Sequence, residues 1–363
     1  MDTKKRIAFV ISKLSSGGAQ RVIATLANNL VSKFDITIIT YSNQESFYEL
    51  DEKINVIPCF EKDHIESSKN ALQSIRLNYR LYRSIKNILK EEGIDLVIGF
   101  ITQSNIFSVF AAKKNKVPCI ICERTNPERA KIQKFWKILR HVAYPKADCL
   151  VVQTNFAKDF YLKNIPESNI KILPNPINPK LSNKRTAEQK ENIVLAVGRL
   201  HKLKNHAMAI TSFANVNPQD WKLLILGEGA ERSNLEKLAA NVQNVELLGA
   251  KTNIEAYYNK AKIFLFTSYY EGFPNALLEA MHFGAAPIST DCKSGPSEII
   301  EDGINGYLVK INDDRAMTKH LSQLIDDSNL RNSMGKAAQK TTERYSSENV
   351  TRLWYDLIIS KLN

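Results

Sequence analysis

Short apolar runs separated by stretches with helical periodicity recur along the whole chain, and this alternation predicts a parallel β-sheet with helices on its faces. In the first half, strands are expected at residues 7–11, 36–40, 56–59, 96–100, 119–122 and 150–152. The first of them runs into the loop Ser15-Ser16-Gly17-Gly18 and a helix over 19–31. A strand, a glycine-rich turn and a helix make a doubly wound opening. Leu173-Pro174-Asn175-Pro176-Ile177-Asn178-Pro179 and the polar run 182–192 then have the proline and polar content of a linker. A second series follows: strands at 193–197, 222–226, 245–248 and 263–266, with helices near 207–216 and 231–242. The expectation is two Rossmann-like domains: 1–175, a linker at 176–192, and 193–346, with 347–363 as a terminal helix.

The length of 363 residues is ample for two such domains, and 44% hydrophobic with 24% charged residues is the composition of a soluble globular chain. Lys4-Lys5-Arg6 leads straight into a short strand rather than a signal-peptide core, and no window reaches eighteen apolar residues, so a cytoplasmic chain that does not span a membrane is expected. Five cysteines in apolar runs argue against a disulfide framework. Period-two alternation sends the thiols of Cys119 and Cys122 to opposite faces of their strand. Six histidines show no ligand spacing, so no protein-held metal is expected.

The net charge of +12 is uneven: residues 1–175 hold 27 Lys and Arg against 17 Asp and Glu, and the remainder 23 against 21. A basic first half calls for an anionic partner, nucleic acid or a phospholipid surface. Two segments concentrate the charge. Residues 69–90 carry Lys69, Arg76, Arg80, Arg83, Lys86 and Lys90 without an acid, while Leu72, Ile75, Tyr79, Tyr82 and Leu89 recur at helical spacing. Residues 129–146 carry Arg129, Lys131, Lys134, Lys137, Arg140 and Lys146 around Phe135 and Trp136. Each reads as a basic amphipathic helix, which either faces the core with a solvated back or docks on anionic lipid.

Candidate chemistry centres on Glu271-Gly272-Phe273-Pro274-Asn275-Ala276-Leu277-Leu278-Glu279. Gly272 and Pro274 end the apolar run at 263–266, and good helix formers follow. Glu271 is therefore placed on a loop and Glu279 within a helix whose first amides face the crevice beyond the strand ends. Carboxylates accept hydrogen bonds from sugar hydroxyls and the amides suit phosphates, a combination that fits a nucleotide-sugar. Gly198-Arg199-Leu200 with Lys204 leaves the first strand of the second domain, where guanidinium and ammonium can bind a diphosphate; Lys202 is the alternative to Lys204. Gly17-Gly18 can bring backbone amides close to a ligand in the first domain. Arg124, in Cys122-Glu123-Arg124-Thr125-Asn126-Pro127, stands at another strand end, with Glu123 either orienting it or structural. Gly227-Glu228-Gly229 reads as a bare turn.

These motifs resemble those of the retaining glycosyltransferases of family 4, which have the α/β GT-B fold of two Rossmann-like domains across a cleft. EGFPNALLEA is close to the family's E-x7-E signature; Gly198-Arg199 with Lys204 matches its Arg and Lys. Ser16-Gly17-Gly18-Ala19-Gln20-Arg21 looks like its glycine loop, and GPSEII with DGINGYLV completes the similarity. The resemblance implies a terminal helix that crosses back to the first domain. It also implies Glu271 on the donor sugar, Glu279 on the ribose, Arg199 and Lys204 on the diphosphate, and Gly17, Gly18, Gly272, Phe273, Pro274, Asn275 and Ala276 around the donor. Many members place a histidine where Arg124 stands, so the pattern departs there, and an arginine supplies charge or hydrogen bonds rather than a base. The implied reaction is metal-independent transfer, with retention, of a hexose or N-acetylhexosamine from a UDP-sugar. The acceptor is expected to be a glycan on undecaprenyl diphosphate, in polysaccharide, lipopolysaccharide or glycoprotein glycan assembly. Arg76, Arg80, Arg83, Lys134, Lys137 and Arg140 would serve the acceptor and the inner face of the membrane. A GT-B nucleotide-sugar 2-epimerase is the alternative, but it would have no use for the two basic segments. A nucleic-acid-binding protein would leave the Glu271 constellation unused, and no signature of such a module accompanies the charge.

Overall fold

The computed structural model describes residues 4–61, 71–130, 132–182 and 190–363. Chain contacts divide it into two units, Met1–Pro176 with Ser347–Asn363 and Ile177–Ser346.

In the first unit the described strands are β1 (Arg6–Val10), β2 (Asp35–Thr40), β3 (Asn55–Pro58), β4 (Leu96–Phe100), β5 (Cys119–Cys122), β6 (Cys149–Val152) and β7 (Ile170–Ile172). All pair in parallel, in the order β3-β2-β1-β4-β5-β6-β7. The central strands are buried along their whole length because helices cover both faces, which is why their sequences are continuous apolar runs. Phe9, Ile98 and Cys122 enter one core while Val10, Val97 and Cys119 enter the other, so the two thiols of the CxxC face opposite sides of the sheet. Strand β7 was not legible in the sequence: three residues alternating Ile-Lys-Ile at a sheet edge leave no apolar run.

The helix Ser347–Leu362 belongs to this unit. Its Val350, Trp354, Leu357 and Ile358 complete the first core, Trp354 stacks on Phe100 at 6.1 Å, and Asn29 donates to Ser347 Oγ and Thr351 Oγ1 at 2.7 and 2.9 Å.

The second unit has β8 (Glu191–Val197), β9 (Lys222–Leu226), β10 (Val245–Gly249), β11 (Ala261–Phe266), β12 (Ala286–Thr290) and β13 (Tyr307–Val309) as its described strands, parallel and in the order β10-β9-β8-β11-β12-β13. Strand β12 escaped the sequence reading because Pro287 lies within it. The proline is tolerated since β13 pairs only from Ile288 onward. Residues 177–182, expected in the linker, are part of this unit instead. Ile177 and Leu181 are buried in its core, and Ile177 N–H donates to the Tyr345 carbonyl at 2.8 Å. Residues 191–192, also expected in the linker, begin β8 instead, while 183–189 lie outside the described residues, as do Lys69 and Lys131.

Both basic segments form helices, Ala71–Glu91 and Lys134–Ala143, and both pack against the helix Thr102–Asn115. Among the described residues no helix is long and apolar enough to cross a membrane.

Gly227-Glu228-Gly229 is more than a bare turn. Gly227 and Gly229 have φ of 145° and 157°, and side chains there would strike the carbonyl oxygens of Gly198 and Leu200 at 1.9 and 2.3 Å. The loop after β9 thus lies backbone against backbone on the loop after β8. Gly227→Ala is therefore expected to destabilise the protein by at least about 2 kcal/mol, from overpacking added to backbone strain. Gly303→Ala, with φ of 77° but open space around it, should cost only about 1 kcal/mol. Chemical denaturation of both variants measures the difference; equal costs would contradict the close approach.

Candidate active site

In each sheet the strand order reverses beside the first strand of the unit, and a crevice forms there because successive loops leave in opposite directions. In the second unit the reversal falls between β8 and β11. The loop after β8 carries Gly198, Arg199 and the short turn Lys202–Lys204; the loop after β11 carries residues 267–274. Three contacts join these loops. Tyr269 N–H donates to the Leu203 carbonyl at 2.9 Å, Thr267 Oγ1 to the Lys204 carbonyl at 2.9 Å, and Lys204 Nζ to Glu271 Oε1 at 2.6 Å. Glu271 also accepts from Ser268 Oγ at 2.6 Å, and Ser294 Oγ donates to its carbonyl. Of the two candidate lysines, Lys204 makes the ion pair while Lys202 is exposed. Arg199 is exposed beside them.

The helix Asn275–His282 begins where the sequence placed it, with Pro274 in front. Glu271, Gly272, Asn275 and Ala276 are half-buried around its start. Two residues of the expected donor set do other work. Phe273 turns into the core with its ring 6.2 Å from that of Tyr345, and buried Pro274 packs against Gly295, where an added side chain would lie 2.4 Å from Pro274 Cδ. They brace the loop from beneath. Glu279 is 7% exposed and accepts from Tyr258 Oη at 3.2 Å.

His206, which sequence reasoning passed over, opens the helix His206–Val216 directly after Lys204-Asn205. It is 5% exposed, and burial together with the Lys204 charge pulls its imidazole down to about 4. Its position two residues beyond the candidate lysine was the available signal.

In the first unit the reversal lies between β1 and β4. Gly17 and Gly18 follow β1 as the cap and first residue of the helix Gly18–Leu30, one residue earlier than expected. The Tyr48 hydroxyl closes this loop, accepting from Gly17 N–H at 3.0 Å and donating to its carbonyl at 2.8 Å. The Gly17 amide is therefore engaged within the protein. Across the reversal, Ile101 has φ of 73°, a conformation that is strained for a β-branched residue. No sequence pattern announced either feature.

Arg124 follows β5, with its Nε and Nη2 buried and without a hydrogen-bond partner. Its guanidinium lies 5.1 Å from the Phe100 ring and 5.9 Å from that of Trp354, and Nη1 donates to Asn175 Oδ1 at 2.7 Å. Glu123 does not orient that side chain. Its carboxylate is 2% exposed and gathers Tyr144 Oη at 2.8 Å, Thr102 Oγ1 at 3.1 Å, Tyr161 Oη at 3.4 Å, Thr125 Oγ1 at 3.0 Å and the Arg124 amide at 3.3 Å. Five donors keep a buried carboxylate satisfied and fix the loop after β5.

Of the acceptor candidates, Arg76, Arg80 and Arg83 are exposed, as are Lys134 and Lys137. Arg140 is turned inward, over the rings of Phe160 and Tyr161 at 5.8 and 5.7 Å, with its Nη1 3.4 Å from Tyr161 Oη. The apolar stripes are only partly core. Leu81, Ile85, Ile88 and Leu89 are buried, yet Leu72, Ile75 and Tyr79 stand exposed on the first turns of their helix, as do Phe135, Ile138 and Val142 on the other. Among the described residues no cluster of three or more His, Cys, Asp or Glu could hold a metal ion.

Comparison with known proteins agrees with this arrangement. The family model described as Glycosyltransferase Family 4 matches residues 16–181, and that of Glycosyl transferases group 1 matches 178–341. The GalNAc-alpha-(1->4)-GalNAc-alpha-(1->3)-diNAcBac-PP-undecaprenol alpha-1,4-N-acetyl-D-galactosaminyltransferase of Campylobacter jejuni is 31% identical over 99% of both chains. The amylovoran biosynthesis glycosyltransferase AmsD of Erwinia amylovora is 30% identical over 97% of this chain and 99% of its own. Among solved structures, a glycosyltransferase from Rickettsia africae superposes with a TM-score of 0.82 at 21% identity, covering 99% of each chain. Anabaena HepE in complex with UDP gives 0.80 at 14% identity, covering 98% of this chain and all of its own. With identity of this extent across both units, the chain belongs to the glycosyltransferases of the GT-B fold, a family 4 domain followed by a group 1 domain.

Proposed function

We propose that the protein transfers a hexose or N-acetylhexosamine, with retention and without a metal ion, from a UDP-sugar to a glycan carried on undecaprenyl diphosphate. The observation that carries the donor half is the Lys204–Glu271 pair at the reversal between β8 and β11. It sets a cation and a carboxylate side by side at the start of the helix Asn275–His282, where backbone dipoles also favour an anion. Arg199 and Lys204 would hold the diphosphate and stabilise its departure, Glu271 would accept hydrogen bonds from the sugar, and Glu279 would reach the ribose. Glu271 is already bonded to Lys204 and Ser268, so it is prepared to position a hydroxyl rather than to attack. The family resemblance adds same-face transfer, with the leaving diphosphate taking the acceptor's proton.

The Campylobacter relative, which acts on a glycan linked to undecaprenyl diphosphate, supports the acceptor half, the Erwinia relative supports polysaccharide synthesis, and the exposed stripes of the first unit agree with both. Leu72, Ile75 and Tyr79 beside Arg76, Arg80 and Arg83, and Phe135, Ile138 and Val142 beside Lys134 and Lys137, combine apolar side chains with positive charge. That combination favours a peripheral position on an anionic inner membrane surface.

Calorimetric titration with UDP, GDP and ADP in EDTA should give micromolar binding for UDP; binding that vanishes in EDTA would contradict metal independence. Glu271→Gln is expected to lower transfer by about 10²-fold or more while thermal unfolding stays near wild type, and wild-type turnover would remove Glu271 from the site. Replacing Arg76, Arg80 and Arg83 together by Ser should weaken sedimentation with anionic vesicles while donor hydrolysis is kept. Unchanged partitioning would return that helix to a structural role.

A further inference from the structure

Next to the Arg199 and Lys204 loop lies a polar group that the reaction as described does not use. The space that a side chain at Gly198 would fill is bounded by His206 Nε2 at 3.5 Å and by Lys204 Cδ and Cε at 3.5 and 3.6 Å. Both His206 ring nitrogens are sealed from solvent and meet no well-aligned hydrogen-bond partner; the backbone of Gly198 and Arg199 lies close enough to favour a proton on the ring. A buried imidazole held only by such loosely aligned backbone partners is costly to keep, and a phenyl or leucine side chain would fill the same space without that cost. The charged groups on the loops after β8, β9 and β11 are Arg199, Lys202, Lys204, Glu228, Glu231 and Glu271. Glu271 is paired with Lys204, and Glu228 with Arg232 at 2.6 Å. Neither Glu271 nor Glu228 is left over to pair with His206.

We propose that His206 is a further binding residue of the donor site, which takes up a proton at Nε2 when a diphosphate enters beside Gly198 and Lys204. The inference rests on the donor-site reading above. Without a ligand, burial and the Lys204 ammonium hold the imidazole neutral, down at about 4. A diphosphate carries two negative charges to within a few ångströms of the ring, offsets the Lys204 charge, and so raises the proton affinity of His206. By linkage, a ligand that raises a group's proton affinity binds more tightly as the pH falls toward that of the unliganded group. Donor binding should therefore strengthen in mild acid and draw a proton from the buffer.

The test is calorimetric titration of UDP-N-acetylglucosamine and UDP-N-acetylgalactosamine, whose diphosphates do not titrate in this range, at pH 7.5 and 5.0 in buffers of different ionisation enthalpy. Wild type should bind about tenfold more tightly at pH 5.0 with net proton uptake. His206→Gln, which keeps a polar group but cannot take the proton, should lose the uptake and the tightening together. Gly198→Ala makes only ordinary contacts where its methyl would lie, so it should fold as wild type yet bind weakly at both pH values. Equal uptake in wild type and His206→Gln would overturn the proposal and leave the donor site standing. So would pH-independent affinity in wild type. If neither sugar nucleotide nor UDP binds at either pH, the donor-site reading falls and the proposal falls with it.

Discussion

The ion pair between Lys204 and Glu271 closes the reversal between β8 and β11, and the geometry of the second unit is arranged around it. Each partner comes from the loop after a different strand, so the pair forms only if the sheet has the order that makes β8 and β11 neighbours. Everything packed nearby fixes one side or the other. Gly227 and Gly229 let the loop after β9 press against the Gly198 and Leu200 carbonyls. Ser268, Thr267 and Tyr269 tie the opposite loop back, and Phe273 and Pro274 anchor its far end in the core. A cation and a carboxylate held this way, at the start of a helix, need no rearrangement to meet a charged donor.

The first unit uses the same architecture more loosely. Its reversal between β1 and β4 is flanked by Gly17, whose amide and carbonyl are both taken by Tyr48, and by Ile101 in a strained conformation. Beside it Glu123 collects five donors, and Arg124 is sandwiched toward Phe100 and Trp354. The helix Ser347–Leu362 therefore does more than cover the sheet. By supplying Trp354 it helps set the position of the Arg124 side chain.

Strands such as β4 and β5 were legible because they are buried on both faces and so are written as unbroken apolar runs. β7 and β12 were not, the one for its edge alternation and the other for its internal proline. In the site, Glu271, Lys204 and the start of the helix at Asn275 could be read because glycine, proline and charge fall at fixed places relative to a strand end. Phe273, Tyr48, Glu123 and His206 could not, since their roles depend on which way a side chain turns once the loops are packed. Composition named the basic stripes but did not say that their apolar residues divide between core and surface, nor that Arg140 folds inward onto two aromatic rings.

A crystal structure of the protein soaked with UDP shows whether the loops after β8 and β11 form the donor site. Density for a diphosphate is expected within hydrogen-bonding reach of Arg199 and Lys204, with the ribose hydroxyls directed to Glu279. A nucleotide bound elsewhere, or one whose phosphates leave the loops after β8 and β11 untouched, would contradict that assignment.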